Sequence, residues 1–174
     1  MRYGALWANV RPSRALLGNH FHFMLRDQFN ERLKESLKAK DQRATATLRL
    51  MLAALKDRDI AARGRGKTDG IGEDEILQML QTMVKQRRES IGMYEKGNRP
   101  DLVQQEKEEI AVIEGFLPKQ LGEAEVDQAV KGLIGELGAS GIKDMGRVMG
   151  VLKERFAGQI DFAKASAVVK KHLG

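Results

Sequence analysis

From Met24 onward, apolar residues recur at helical spacing, and clusters of glycine or proline break the pattern into segments. Leu25, Phe29, Leu33 and Leu37 repeat every four residues among charged positions, which predicts a first helix. Asp41 stands where an N-cap belongs, ahead of the stripe Ala44, Leu48, Met51, Leu52 and Leu55. Glu73, Asp74 and Glu75 open a third helix, where acids suit the positive end of the helix dipole. Its stripe is Ile76, Leu80, Met83, Val84, Ile91 and Tyr94. Gly97–Asp101 reads as a turn, and Pro100 starts a fourth helix that runs to Leu117 through Leu102, Ile110 and Ile113. The first half of that helix, Gln104–Glu109, is so polar that it is expected to protrude or to lie on the surface.

Pro118 cannot continue the fourth helix, because it lacks an N–H and its ring clashes with the preceding turn. Phe116-Leu117-Pro118 is therefore an apolar corner, expected to dock a smaller module onto a longer one. Beyond it the elements shorten. Glu123–Leu137 carries Val126, Val130, Leu133, Ile134 and Leu137, and Asp144–Phe156 carries Met145, Val148, Met149, Leu152 and Phe156. Asp161 caps Phe162–Leu173. No segment has strand period, so the fold class is all-α. An N-terminal helical bundle or hairpin module (residues 24–118) is followed by a small three-helix C-terminal module (residues 119–174), which is expected to lean on the first.

Residues 1–23 do not match the rest of the chain. They contain the only Trp, show no sustained period, and include Arg2, Arg11 and Arg14 with no acid. Two readings stand: an organelle transit peptide, or an upstream extension of a chain that starts at Met24; disorder is expected in either case. The second reading leaves the protein cytoplasmic, the first makes it mitochondrial. These arginines supply half of the net charge of +6, so the remainder is only mildly basic, which permits RNA binding without demanding it. The chain has no Cys, which removes disulfides, thiolate metal sites and cysteine nucleophiles. No apolar run reaches the ~20 residues that span a bilayer.

Catalytic chemistry is scarce. After Met24 the only His is His172, no His/Asp/Glu cluster has ligand spacing, and no serine lies in a nucleophile motif. No metal, no cofactor and no catalytic residue is expected; the residues lean against catalysis by the chain alone and leave open only a Lys- or Glu-based site assembled in three dimensions. Gly66-Lys67-Thr68 imitates a phosphate loop, but the earlier glycine of that motif is Ala61 and a helix precedes it, so Gly64–Gly72 reads as a flexible linker.

One constellation stands out. Gly146 and Gly150 lie four apart inside a helix with Lys153 near the same edge, and Lys143 and Arg147 flank them. Glycine inside a helix costs about 0.5–1 kcal/mol relative to Ala, so two of them need a reason. Either a neighbouring helix packs on the smooth strip, or a sugar–phosphate backbone approaches it beside the cations. A secondary contact candidate is Lys85, Arg87 and Arg88. Arg87 falls on the apolar line of its helix, where it either snorkels outward or pairs across the bundle with Glu106 or Glu109.

Lys85-Gln86-Arg87-x-Glu89-Ser90, Gly97-x-Arg99-x-Asp101-Leu102, Leu117-Pro118-x-Gln120-Leu121 and Lys143-Asp144-Met145-Gly146-x-Val148-Met149, in this order, resemble the YqeY-like proteins of the GatB/YqeY family. The resemblance covers about residues 24–174. It implies a C-terminal module similar to the tail domain of the GatB component of the glutamyl/aspartyl-tRNA amidotransferase, a domain that helps to bind the tRNA body. Lys143, Arg147 and Lys153 thereby inherit a tRNA contact, and the partners implied are tRNA or another structured RNA, with an amidotransferase or aminoacyl-tRNA synthetase beside it. Kinship to carbon–nitrogen ligases with glutamine as amido-N-donor does not bring their active sites. Two departures matter: Phe116 stands where the family has Tyr, and Gly158-Gln159-Ile160-Asp161 replaces Gly-Arg-Ala-Asp, which removes a positive charge.

Overall fold

In the computed structural model the described residues are 21–174, with side chains from 25 onward; the expectations for residues 1–23 lie outside them except at 21–23, which open the first helix ahead of Met24. Among the described residues there are seven α-helices and one 3-10 turn, with no strand. The helices are α1 (Phe21–Lys38), α2 (Gln42–Arg63), α3 (Glu73–Lys96), α4 (Pro100–Glu114), α5 (Glu123–Leu137), α6 (Met145–Arg155) and α7 (Phe162–Leu173), and the 3-10 turn Ile142–Asp144 leads into α6. Capping follows the sequence: Ala44 N donates to Asp41 Oδ1 at 2.9 Å, and Ala163 N to Asp161 Oδ1 at 2.8 Å.

α1–α4 enclose one hydrophobic core around Phe29, Leu48, Met51, Ile76, Leu80 and Ile113. The first stripe drifts out of register at its end, because a spacing of four advances about 40° per step on an α-helix. Leu37 is consequently 49% exposed, and Ser36 takes the buried place, bonded to Leu33 O and Thr45 Oγ1. Phe116 also belongs to this core: its ring meets Phe29 edge-on, centroids 4.9 Å apart. The corner Phe116-Leu117-Pro118 thus seals the first core rather than docking the second module by apolar contact. The Gly64–Gly72 segment is no loose linker either. Asp59 Oδ1 accepts from Ile71 N at 2.9 Å, Arg26 bridges Asp59 and Ile71 O, and Ile71 is buried. Gly70, at φ +84°, leaves room for this knot, since a Cβ there would collide with the Asp59 carboxylate.

α4 does not protrude. It lies at the surface along α3, with Gln104, Lys107 and Glu108 exposed, while Arg87 reaches across to Glu109, Nη2 to Oε2 at 2.8 Å, with those two side chains 13% and 11% exposed. Arg43 of α2 approaches the other oxygen of Glu109, and Gln105 donates to it. Glu106 is the surplus acid. Its Oε2 lies 3.8 Å from Arg87 Nε, too long for a hydrogen bond, and has no hydrogen-bond partner. Burial first, and the Glu109 charge second, hold its carboxyl above the usual carboxylate range, against the pull of Arg87.

α5–α7 enclose a second core of Val130, Leu133, Val148, Leu152, Ile160 and Val169. The two cores meet through a small polar clasp. Gln81 of α3 donates to Ile160 O at 2.9 Å and to Gln120 Oε1 at 3.4 Å, while inside the second group Gln120 donates to Gly158 O and Leu121 N to Gln159 O. Gly158, at φ +73°, lies against Leu77, where a Cβ would come within 3.0 Å.

A raised carboxyl pKa means that the native state gives up stability as pH rises through that value, while below the unfolded pKa the penalty vanishes. Glu106→Gln is therefore expected to raise the melting temperature at pH 7 and to leave it nearly unchanged at pH 4. Calorimetry at the two pH values checks this.

Candidate functional site

The candidate site is built on α6, whose inward stripe of Met145, Val148, Met149 and Leu152 fixes which residues face out. Gly146 and Gly150 are exposed, and nothing lies within 4 Å of the place a Cβ would take on either. No neighbouring helix packs on the strip, so tight helix packing is not the reason for these glycines. Ile142, 56% exposed, adds one apolar side chain at the N-terminal end.

The cations separate by residue type. Both arginines of α6 turn to α5: Arg147 Nη2 donates to Leu137 O at 3.0 Å and to Asp144 Oδ1 at 3.0 Å, and Arg155 forms a two-bond pair with Glu136. Arg147 thus closes the C-terminal end of α5, where orphan carbonyls attract a donor. Lys143 and Lys153, both exposed, make no ion pair among the described residues. At about 100° per residue, Gly146, Gly150 and Lys153 occupy one narrow sector on the side of α6 away from α5. The five residues singled out by sequence therefore split into an open strip with two free lysines, and one arginine committed to structure.

The sequence reading misses one lysine. On α7, His172 Nε2 meets Asp127 Oδ1 of α5 at 2.6 Å, which marks the α5-facing edge. Lys170 lies about 160° round the helix from His172, on the edge that adjoins the strip of α6. It is exposed and unpaired among the described residues. The signal for it is in the chain: Phe162–Leu173 contains three lysines and no acid. α5 is the opposite, with Glu123, Glu125, Asp127 and Glu136 against one Lys131. The module is acidic on α5 and basic on α6 and α7.

The secondary group divides too. Arg87 is consumed by Glu109 and is not a surface contact, since a buried guanidinium without that carboxylate would be strongly penalised. Arg88 is exposed and paired with Glu114 at 2.8 Å, and Lys85 is exposed and unpaired among the described residues. No group of His, Asp and Glu suited to a metal occurs among the described residues, and none of their helices is long and apolar enough to cross a membrane.

The family described as Yqey-like protein matches residues 26–173. Among curated proteins the chain is similar to "Altered inheritance of mitochondria protein 41, mitochondrial" of Lachancea thermotolerans, 34% identical over 107 residues, or 60% of this chain and 55% of the relative. The protein of that name in Saccharomyces cerevisiae strain YJM789 is 31% identical over 107 residues, 60% of this chain and 56% of the relative. That of Vanderwaltozyma polyspora is 33% identical over 85 residues, 49% of this chain and 44% of the relative. The chain spans about half the length of these curated relatives. Their shared name places them in mitochondria and states no substrate or partner.

Two stability outcomes follow from this geometry. Arg147→Ala is expected to cost about 0.5–1 kcal/mol, as loss of half-exposed hydrogen bonds does, read as a lowered melting temperature. Lys131 first and His172 second hold the Asp127 carboxyl down at about 2. That contribution is complete above the unfolded value of about 4 and is lost as pH falls through about 2. Asp127→Asn should therefore flatten the acid limb of a pH-stability profile between those values.

Proposed function

The chain belongs to the YqeY-like family, and on that premise we propose that it is a non-catalytic RNA-binding module whose C-terminal helices grip structured RNA, with tRNA as the first substrate to try. The observation that carries this reading is the open strip of Gly146 and Gly150 with Lys143, Lys153 and Lys170 unpaired around it. Two missing side chains let a phosphodiester backbone come close to the helix axis, and flexible ammonium groups reach its oxygens from the edges. The aromatics of this module, Phe156 and Phe162, pack against its core, so base stacking contributes little and the contact is to backbone and shape. Arg147 serves this surface by holding α6 against the end of α5. Assistance to tRNA-linked amidation or aminoacylation then falls to the RNA's other partners, an amidotransferase or a synthetase, and the purified chain is expected not to hydrolyse glutamine.

A mitochondrial site of action goes with the relatives' name and with the acid-free, arginine-bearing residues 1–23. Fusion of those residues to a fluorescent reporter tests it: import supports a leader, and a diffuse signal leaves the upstream-extension reading.

Gel retardation of total tRNA at low salt tests the function. Retardation by the wild type and its loss in Lys143→Glu/Lys153→Glu, with helicity retained, is the expected result. Equal retardation by the double variant removes the strip from the claim. A partner protein that co-purifies after nuclease treatment, with no tRNA shift at any salt, would replace this reading by that of a protein-interaction adaptor.

A further inference from the structure

α7 carries a second feature that the strip on α6 does not use. Lys164 and Lys171 are seven residues apart, nearly in line along the helix and about 10 Å apart in rise. Both are exposed, and neither has a partner among the described residues. Ala167 lies between them on the same solvent side and Ala163 just ahead of Lys164, both exposed and small. The outer face of α7 is thus a smooth, acid-free track that ends at its N-terminus.

That N-terminus does not face open solvent alone. Lys164 lines a cleft of about 440 Å³ between the two helical groups, and Lys85 and Arg88 of α3 line it from the other side. Leu117, Val84 and Phe162 contribute apolar walls. Arg88 is balanced by Glu114, and the carboxylate of Asp161 is turned to the amides of Ala163 and Lys164, so the uncommitted charges in the cleft are the ammonium groups of Lys85 and Lys164. The two groups that meet here are held by little more than the Gln81 amide, which donates to Ile160 O and to Gln120 Oε1, and the Gly158 contact with Leu77.

Resting on the RNA-binding reading above, we infer that the RNA interface is not confined to the C-terminal helices: a phosphate backbone follows α7 from Lys171 to Lys164 and crosses the cleft to Lys85. The RNA then bridges the two helical groups and reinforces a junction that the protein closes with only a few polar bonds. Unpaired lysines aligned on both sides of a gap are the arrangement a polyanion neutralises, and each phosphate contact adds to the salt dependence of binding. This gives a role to Lys85, which the strip on α6 leaves unexplained.

The test uses the full chain, total tRNA and a salt titration. The variant Lys85→Gln/Lys164→Gln/Lys171→Gln should bind more weakly, and its slope of log affinity against log salt should be shallower by about 2–3, or about 0.7–0.9 per lysine. Lys56→Gln, an exposed lysine on α2, should leave the slope unchanged. Amide hydrogen exchange gives a readout independent of substitution: tRNA should slow exchange in α3 around Gln81–Arg88 as well as in α7. An unchanged slope in the triple variant, or slowed exchange confined to α6 and α7, overturns the inference while the Lys143/Lys153 reading stands. Absence of any tRNA binding by the wild type overturns both. Saturable binding of an acidic protein that depends on the same three lysines, with no salt-dependent RNA binding, assigns the track to a protein and overturns it as well.

Discussion

The commitment of arginine to structure is what leaves lysine free on the surface. Arg26 ties α1 to Asp59 and the 64–72 segment, Arg87 joins α3 to α4 through Glu109, and Arg147 and Arg155 fasten α6 to α5. A planar guanidinium with several fixed donors suits a defined carboxylate or carbonyl, and it holds that geometry at modest entropy cost. A lysine on a flexible stem is less useful as a brace and better suited to a mobile or irregular anion. Lys143, Lys153, Lys164, Lys170 and Lys171 accordingly remain without partners among the described residues. Had α6 carried lysines where its arginines stand, α5 would be held less firmly. Had it carried arginines for its lysines, more of the surface charge would be drawn into pairs.

The same division explains the electrical shape of the C-terminal helices. α5 supplies the acids that receive Arg155, Lys131 and His172, so negative charge collects on one helix. α7 has only its N-cap Asp161, and that carboxylate is turned to the first amides of the helix. The α6–α7 side is left positive and smooth, because glycine and alanine occupy the outward positions there. α6 and α7 contain one acid between them, Glu154.

Much of this is legible from spacing alone. The helices and the caps Asp41 and Asp161 follow from a period of 3.6 residues and the chemistry of helix ends. Spacing also puts Gly146, Gly150 and Lys153 on one edge and Arg87 on an apolar line, but it leaves open whether a helix covers that edge and whether Arg87 turns outward or pairs with Glu106 or Glu109. The errors also have physical sources. Leu37 resembles a core position because a four-residue repeat looks regular in sequence while it rotates off the face in space. The polar start of α4 does lie at the surface, but its charge counted locally misses the two arginines, Arg43 and Arg87, that reach the buried Glu109 from other helices. The corner at Phe116 resembles a hinge contact because a proline marks the boundary, but an aromatic ring packs where another ring is available, and Phe29 is in the first core. Long-range partners of this kind leave no trace in local pattern.

The weak point of the molecule is then where its function is most sensibly sought. Two cores that share so little apolar contact are joined by the bonds of Gln81 to Ile160 O and Gln120 and by one close glycine, and a glutamine amide offers modest net energy when water competes for it. A binding partner that touched only one core would leave this junction as it is. A partner that touched both would add its own binding energy to the joint, by the mass-action coupling through which any ligand stabilises the arrangement it prefers. Lys85 on one wall of the cleft and Lys164 on the other provide the means for the second case, and the sparse clasp between them provides the reason it would matter.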